Sequence, residues 1–252
     1  MYNGGIFFTR AGHTTDLKSK TKRRLLSLGI QAINLPLVAI VPDLDALLSN
    51  SNRKALIQAD WIIVFSSNAA QILFSQFIPN SHCKIATIGE STARVVRQFH
   101  IPVTLVAPPP NSSESLTSAL VATIGISQLA QSTIIIATGH EGLTTASDFF
   151  QSLDIFPITI ELYRRVPQEA SDELRSKVSA MVSSLQPKAI SFVSVTSARQ
   201  CSIQFPNLTF LPAICVSSRI GEQALAFGWK KILLTDGVSD DAIIDTFLSL
   251  KQ

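Results

Sequence analysis

Short apolar runs recur along the chain, each followed by a stretch in which apolar residues return every three or four positions. The runs at 5–9, 32–40, 61–66, 84–89, 104–107, 133–138, 157–166, 189–194, 213–217 and 231–235 are rich in Ile, Val and Phe. Their near-continuous apolar character predicts strands buried on both faces, as in a parallel sheet. Between them, residues 16–28 set Leu17, Thr21, Leu25 and Leu28 on one helical face, and Gly29 falls where a helix C-cap belongs. Residues 143–153 and 168–185 read as helices in the same way. Strands alternating with amphipathic helices give an α/β fold with parallel strands.

The pattern repeats. "FFTRAGH", a helix, "LGI" and "NLPLVAI" parallel "IIATGHEG", a helix, "LDI" and "TIELYRRV" at a spacing of about 125–129 residues. Ser67 in "VFSSNAA" precedes Ser194 in "FVSVTSA" by about 127 residues, and "TIGESTARVVRQFHI" precedes "CVSSRIGEQALAFGW" by about 128. One offset across several motifs predicts two tandem copies of one unit.

Composition narrows the classes. The 252 residues are 46% hydrophobic, enough for one large or two modest cores, so a disordered chain is excluded. A net charge of +3 on 15% charged residues is too sparse for a dedicated nucleic-acid binder and fits an anionic small molecule. Cys83, Cys201 and Cys215 form neither a disulfide framework nor a metal-ligand spacing, which points to a reducing cytoplasm. His13, His82, His100 and His140 likewise lack ligand spacing, so no metal site is expected. No apolar run has membrane-spanning length, and the opening "MYNGGIFFTRAGHTTD" lacks the basic-then-apolar order of an export signal, so the chain reads as soluble and unexported. No phosphate-binding glycine motif and no G-x-S-x-G elbow occurs.

The ordered set "FTR", "LPLVAI", "DWIIVFSSNAA", "IGESTA", "PPPNSSESL", "ATGHEG", "ELYRRV", "FVSVTSA" and "VSSRIGEQALAFG" resembles the uroporphyrinogen-III synthase family over Thr9 to about Asp241. The resemblance implies two similar parallel-sheet α/β domains, a tandem repeat with exchanged strands, joined by a two-stranded linker with the active site in the cleft between them. One domain would comprise residues 1–36 plus 168–252 and the other 43–159, with 37–42 and 160–167 as the linker. It further implies a lyase that takes hydroxymethylbilane, loses its terminal hydroxyl as water, inverts ring D and closes uroporphyrinogen III for haem and sirohaem biosynthesis. No cofactor is implied. A monomer is expected, with a transient hand-over from hydroxymethylbilane synthase and no nucleic-acid or membrane partner.

Such a substrate carries eight carboxylates, and a strand-to-helix turn can hold a carboxylate on its free amides. Ser66, Ser67 and Asn68 end one strand this way, and Ser194, Val195 and Thr196 do so in the second copy. Gly89 and Thr92 in "IGEST", Ser113 in "NSSES", Gly139 and His140 in "TGHEG", and Ser218 with Arg219 are further substrate-binding candidates. Each serine could instead serve only as an N-cap. Thr9 and Arg10 follow the first strand, where an α/β sheet opens to its ligand, although Arg10 could equally pair with a local acid. The basic run "KSKTKRR" reads as the solvated face of its helix. Tyr163, in the linker strand at the place where the family pattern has tyrosine, is the catalytic candidate, facing the cleft to assist loss of the hydroxyl. Thr138 and Leu143 stand where many members of the family have arginine. The alternative function is a non-catalytic bilobed binding or sensor protein for an anionic metabolite.

Overall fold

Among the described residues, ten of the twelve strands lie in two five-stranded sheets in which every adjacent pair runs parallel. The computed structural model describes residues 4–12, 17–109, 111–140, 145–185 and 187–250. The strands are β1 (Gly5–Phe8), β2 (Gln31–Asn34), β3 (Val38–Pro42), β4 (Trp61–Val64), β5 (Lys84–Thr87), β6 (Leu105–Val106), β7 (Ile134–Thr138), β8 (Ile158–Glu161), β9 (Tyr163–Pro167), β10 (Ala189–Phe192), β11 (Ala213–Cys215) and β12 (Ile232–Leu234). Helices separate most of them. The chain divides into two units, Met1–Ala39 with Val166–Gln252, and Ile40–Arg165.

The first unit has the order β12-β11-β10-β1-β2, and the second β6-β5-β4-β7-β8. These are the same arrangement. Each sheet takes its β1-β2 or β7-β8 pair from one copy of the repeat and its remaining three strands from the other, so strands are exchanged between copies. The central strands are buried throughout, as their unbroken apolar runs require: β1, β4 and β10 have no exposed position. Each sheet is covered on both faces. In the first unit, Phe7, Ile190 and Phe192 face one cluster while Ile6, Phe8 and Ile214 face the other. In the second, Ile62 and Val64 belong to one cluster and Trp61 and Ile63 to the other.

Two long apolar runs break where the sequence suggested single strands. Residues 32–40 end β2 at Asn34 and resume at Val38; Pro36, which has no N–H to give a ladder, lies in the gap. Residues 157–166 break at Leu162, between β8 and β9. The breaks correspond: Leu35 N–H donates to the Phe8 carbonyl at 2.7 Å, and Leu162 N–H to the Thr138 carbonyl at 2.8 Å. β3 and β9 then pair as a separate two-stranded sheet. The chain passes between units within these two strands.

Helix ends follow one chemistry. Ser66, Ser112, Ser194, Ser217 and Ser239 are N-caps whose side chains accept a first-turn N–H. At the other ends, Gly29, His100, Asp154 and Gly228 have φ of 68°, 60°, 57° and 97°, the left-handed conformation that turns each helix toward its next strand. The Schellman bonds Ile30 N–H to Leu25 O, Ile155 N–H to Phe150 O and Trp229 N–H to Ala224 O close three of these ends.

Candidate active site

In each sheet the chain leaves two adjacent central strands in opposite directions, β4 and β7 in one unit and β10 and β1 in the other. The carboxyl ends of such strands are where an open α/β sheet presents its ligand site. In the second unit these ends carry Phe65 and Ser66 after β4, and Gly139 and His140 after β7. The start of β9 brings Tyr163 to the same place: His140 N–H donates to the Tyr163 carbonyl at 2.8 Å.

The Tyr163 ring lies directly over Gly139. A Cβ on that glycine would stand 2.5, 2.6 and 2.9 Å from three ring carbons. Glycine is therefore required by close approach. The phenol oxygen is 3.1 Å from Ser66 Oγ, and Arg165 Nη2 donates to it at 3.0 Å. Ser66 Oγ also accepts the Ala69 N–H at 3.0 Å, so one hydroxyl both caps the helix Ser67–Gln76 and meets the phenol. The Arg165 guanidinium stands over the ring, 5.2 Å from its centroid. Tyr163, the residue expected to face the cleft, is 1% exposed and belongs to the core, with its oxygen on Ser66 and Arg165.

His140 is held on both sides. Its Nε2 is 3.0 Å from Asp43 Oδ2 and its Nδ1 is 3.1 Å from Glu161 Oε2. Arg164 also approaches Asp43, at 3.6 Å. Asp43 caps the helix Leu44–Leu48 through the Ala46 N–H. That N–H, then His140 and Arg164, hold the Asp43 carboxyl below the usual carboxylate range. With both ring nitrogens on carboxylates, His140 organises this turn.

The corresponding turns of the first unit are engaged in the fold. Thr9 is buried and its hydroxyl donates to the Ser191 carbonyl at 2.7 Å, with Ser197 Oγ at 3.1 Å, tying β1 to β10 and the following helix. Arg10 pairs with Asp240 through Nε at 2.8 Å and Nη2 at 2.5 Å, an acid of the C-terminal helix rather than one near Arg10 in the chain. Asp240 also accepts from Thr21 at 2.6 Å. Lys20 and Arg24, read as solvated, reach Asp241 of the same helix, and Arg24 also reaches Asp245.

The remaining candidates sit at helix starts. Ser67 and Asn68 form the first turn after the Ser66 cap, and Val195 and Thr196 the first turn after Ser194. The repeat therefore matches Ser66, not Ser67, with Ser194. Gly89 precedes the helix Glu90–Gln98 without a side-chain cap, and Thr92 is buried inside that helix. Ser113, buried, follows the Ser112 cap, and exposed Ser218 and Arg219 follow Ser217. His13, Glu141, Gly142 and Leu143 lie outside the described residues. The site residues that sequence reading missed are Asp43, Glu161 and Arg165. For Arg165 a signal existed, since residues i and i+2 share one face of a strand. Among the described residues no group of three or more His, Cys, Asp or Glu could hold a metal, and no helix is long and apolar enough to cross a membrane.

Comparison with known proteins adds an independent line. Residues 19–245 match the family model described as uroporphyrinogen-III synthase HemD. A uroporphyrinogen-III synthetase structure from Helicobacter pylori is 13% identical, with a TM-score of 0.62 over 98% of this chain and 99% of that one. A mutant uroporphyrinogen III synthase from Thermus thermophilus is 14% identical, with a TM-score of 0.54 over 98% and 99%. At such identities the two structures speak for the fold alone. No curated protein sequence matches.

Proposed function

The chain belongs to the uroporphyrinogen-III synthase family, a family of lyases, and from that premise we propose that it closes hydroxymethylbilane to uroporphyrinogen III with Tyr163 assisting departure of the hydroxyl. The observation that carries the assignment of Tyr163 is the phenol oxygen held between Ser66 and Arg165 at the carboxyl ends of β4 and β7. Arg165 can only donate, so it fills an acceptor position of the phenol oxygen. Ser66 can give its own hydrogen to the same oxygen while accepting from Ala69. The phenol hydrogen is then available to a third oxygen, that of the leaving hydroxyl. In the step itself the hydroxymethyl C–O bond breaks, its electron pair leaves on oxygen, and the phenol proton completes a water molecule. The pyrrole N–H proton returns to the phenolate, which leaves a neutral azafulvene for ring closure. Ser66, which keeps its place through the Ala69 bond, can donate to the charge that develops on the phenol oxygen.

The test is the isomer formed. Hydroxymethylbilane generated in situ is expected to give mainly the type III product, against a background of type I from unassisted closure, because only a guided closure inverts ring D. Tyr163→Phe is expected to lower turnover about tenfold or more while the fold is retained. Type I alone at every protein concentration would defeat the synthase reading and favour the binding-protein alternative.

A further inference from the structure

A phenol that serves the reaction must be reachable, yet Tyr163 is 1% exposed. Some group that closes over it has to move. Among the described residues Ser66 and Arg165 bond its oxygen and Gly139 lies against its ring, and the rest of the side chain belongs to the apolar core. Gly139 is backbone under the ring. Ser66 is fixed by its cap bond to Ala69. Arg165 is a long, partly exposed side chain that folds back over the ring of the residue two before it. Arg10, Arg24, Arg97 and Arg175 all pair with carboxylates. Arg165, in contrast, forms no ion pair among the described residues and meets the phenol oxygen and the aromatic face.

We propose that Arg165 is a displaceable cap over the Tyr163 phenol, drawn off by a carboxylate of the incoming ligand. The inference rests on the synthase reading for its purpose, since a ligand bearing carboxylates is what would lift the cap and place an oxygen beside the phenol. The driving force is a difference in hydrogen-bond strength. A guanidinium bonded to a neutral phenol gives up one neutral acceptor and an aromatic face; a carboxylate offers it two charged acceptors in matching geometry, each bond about twice as strong. The arginine then stays near the site as a ligand contact while the phenol is uncovered.

The test reads access to the phenol directly. Tyr2 and Tyr163 are the only tyrosines, so in a Tyr2→Phe protein nitration by tetranitromethane reports on Tyr163 alone. The cap predicts slow nitration that succinate accelerates and that sodium chloride at the same ionic strength does not. Arg165→Met should raise the rate about tenfold and abolish the succinate response. An arginine that only favoured ionisation would show the opposite sign, because nitration proceeds through the phenolate. Arg164→Met serves as the control for general loosening. The proposal is overturned if Arg165→Met and Arg165→Gln both leave Tyr163 protected, if chloride acts as succinate does, or if Arg164→Met exposes the phenol equally. Because nitration does not use the reaction, a protein that makes type III product with Tyr163 unprotected from the start refutes the cap alone. Failure to make type III product with the cap behaviour intact refutes the synthase reading instead.

Discussion

Gly139→Ala tests whether the contact between Gly139 and Tyr163 organises the site. The added methyl carbon would stand 2.5 Å from the ring's Cζ and 2.6 Å from Cε2, where ordinary carbon contacts begin near about 3.5 Å. The ring must therefore retreat by roughly 1 Å. It is buried, and its oxygen is tied to Ser66 at 3.1 Å and Arg165 at 3.0 Å, so a retreat of that size carries both bonds out of range. Overpacking costs about 1–3 kcal/mol and a hydrogen bond to a charged group about 1.5–3 kcal/mol, while the lost flexibility of the unfolded chain returns about 0.4–1 kcal/mol. A net loss of about 1.5–5.5 kcal/mol follows. Gly5→Ala is the comparison, because its methyl would stand closer still, 2.2 Å from Met181 Cε. That carbon is the free end of a flexible side chain, which can swing aside for under about 1.5 kcal/mol. Urea unfolding followed by far-UV circular dichroism, together with turnover, should show Gly139→Ala much the more damaged of the two. Equal stability and turnover for Gly139→Ala and the parent protein, or a larger loss at Gly5, would show that the distance to the ring does not govern the site.

His100 and Asp154 occupy left-handed helix ends that Gly29 and Gly228 occupy elsewhere, so His100→Gly and Asp154→Gly should each raise stability by about 0.5–1 kcal/mol in chemical denaturation; a loss at both sites would contradict the backbone argument. The Asp43 carboxyl is held below its usual range, so its contribution is present above the unfolded-state value of roughly pH 4 and is lost as pH falls through the lower folded-state value. In urea unfolding between pH 3 and 6, the advantage of the parent protein over Asp43→Asn is expected to shrink on acidification, and a gap that stays constant with pH would count against the assignment.

The sheets were largely legible because strands buried on both faces appear as continuous apolar runs, and the Ser residues at 66, 112, 194, 217 and 239 cap helices as their type prefers. The break at Pro36 carried a visible signal, whereas that at Leu162 did not: an apolar residue between two apolar strands gives no sign of where pairing changes partner. In the candidate site, Ser66, Gly139, His140 and Tyr163 were readable as turn and strand residues. Their mutual contacts were not. Ser66 and Tyr163 are 97 residues apart, as are Asp43 and His140, and such partners meet only once the strand order is known. Arg10 illustrates the same limit, since its acid lies 230 residues away in a helix that the exchange of strands brings back to the first unit.

The repeat shows what distinguishes the two turns. Phe8 and Thr138 occupy the same station, each accepting the N–H of a leucine, Leu35 or Leu162, so Asn34 corresponds to Glu161, Pro36 to Tyr163, Thr9 to Gly139 and Arg10 to His140. One pair of positions touches in both copies, through different groups. The Arg10 backbone and the Asn34 amide exchange hydrogen bonds of 2.7 and 3.1 Å, and His140 meets Glu161 at 3.1 Å. Another pair has changed together. Thr9 fills the space at its turn with a hydroxyl that bonds the sheet, next to a chain that continues as proline. Gly139 vacates that space, and the aromatic residue opposite enters it. A Tyr at position 36 would meet Thr9 instead of a bare backbone, and a Thr at position 139 would expel the phenol from Ser66 and Arg165. Packing would have been satisfied by either combination. The chemical difference is that only Gly139 with Tyr163 brings a phenol to a helix cap and to an arginine that has no carboxylate partner among the described residues, which makes the second unit's turn, rather than its counterpart, the place to seek the proton donor.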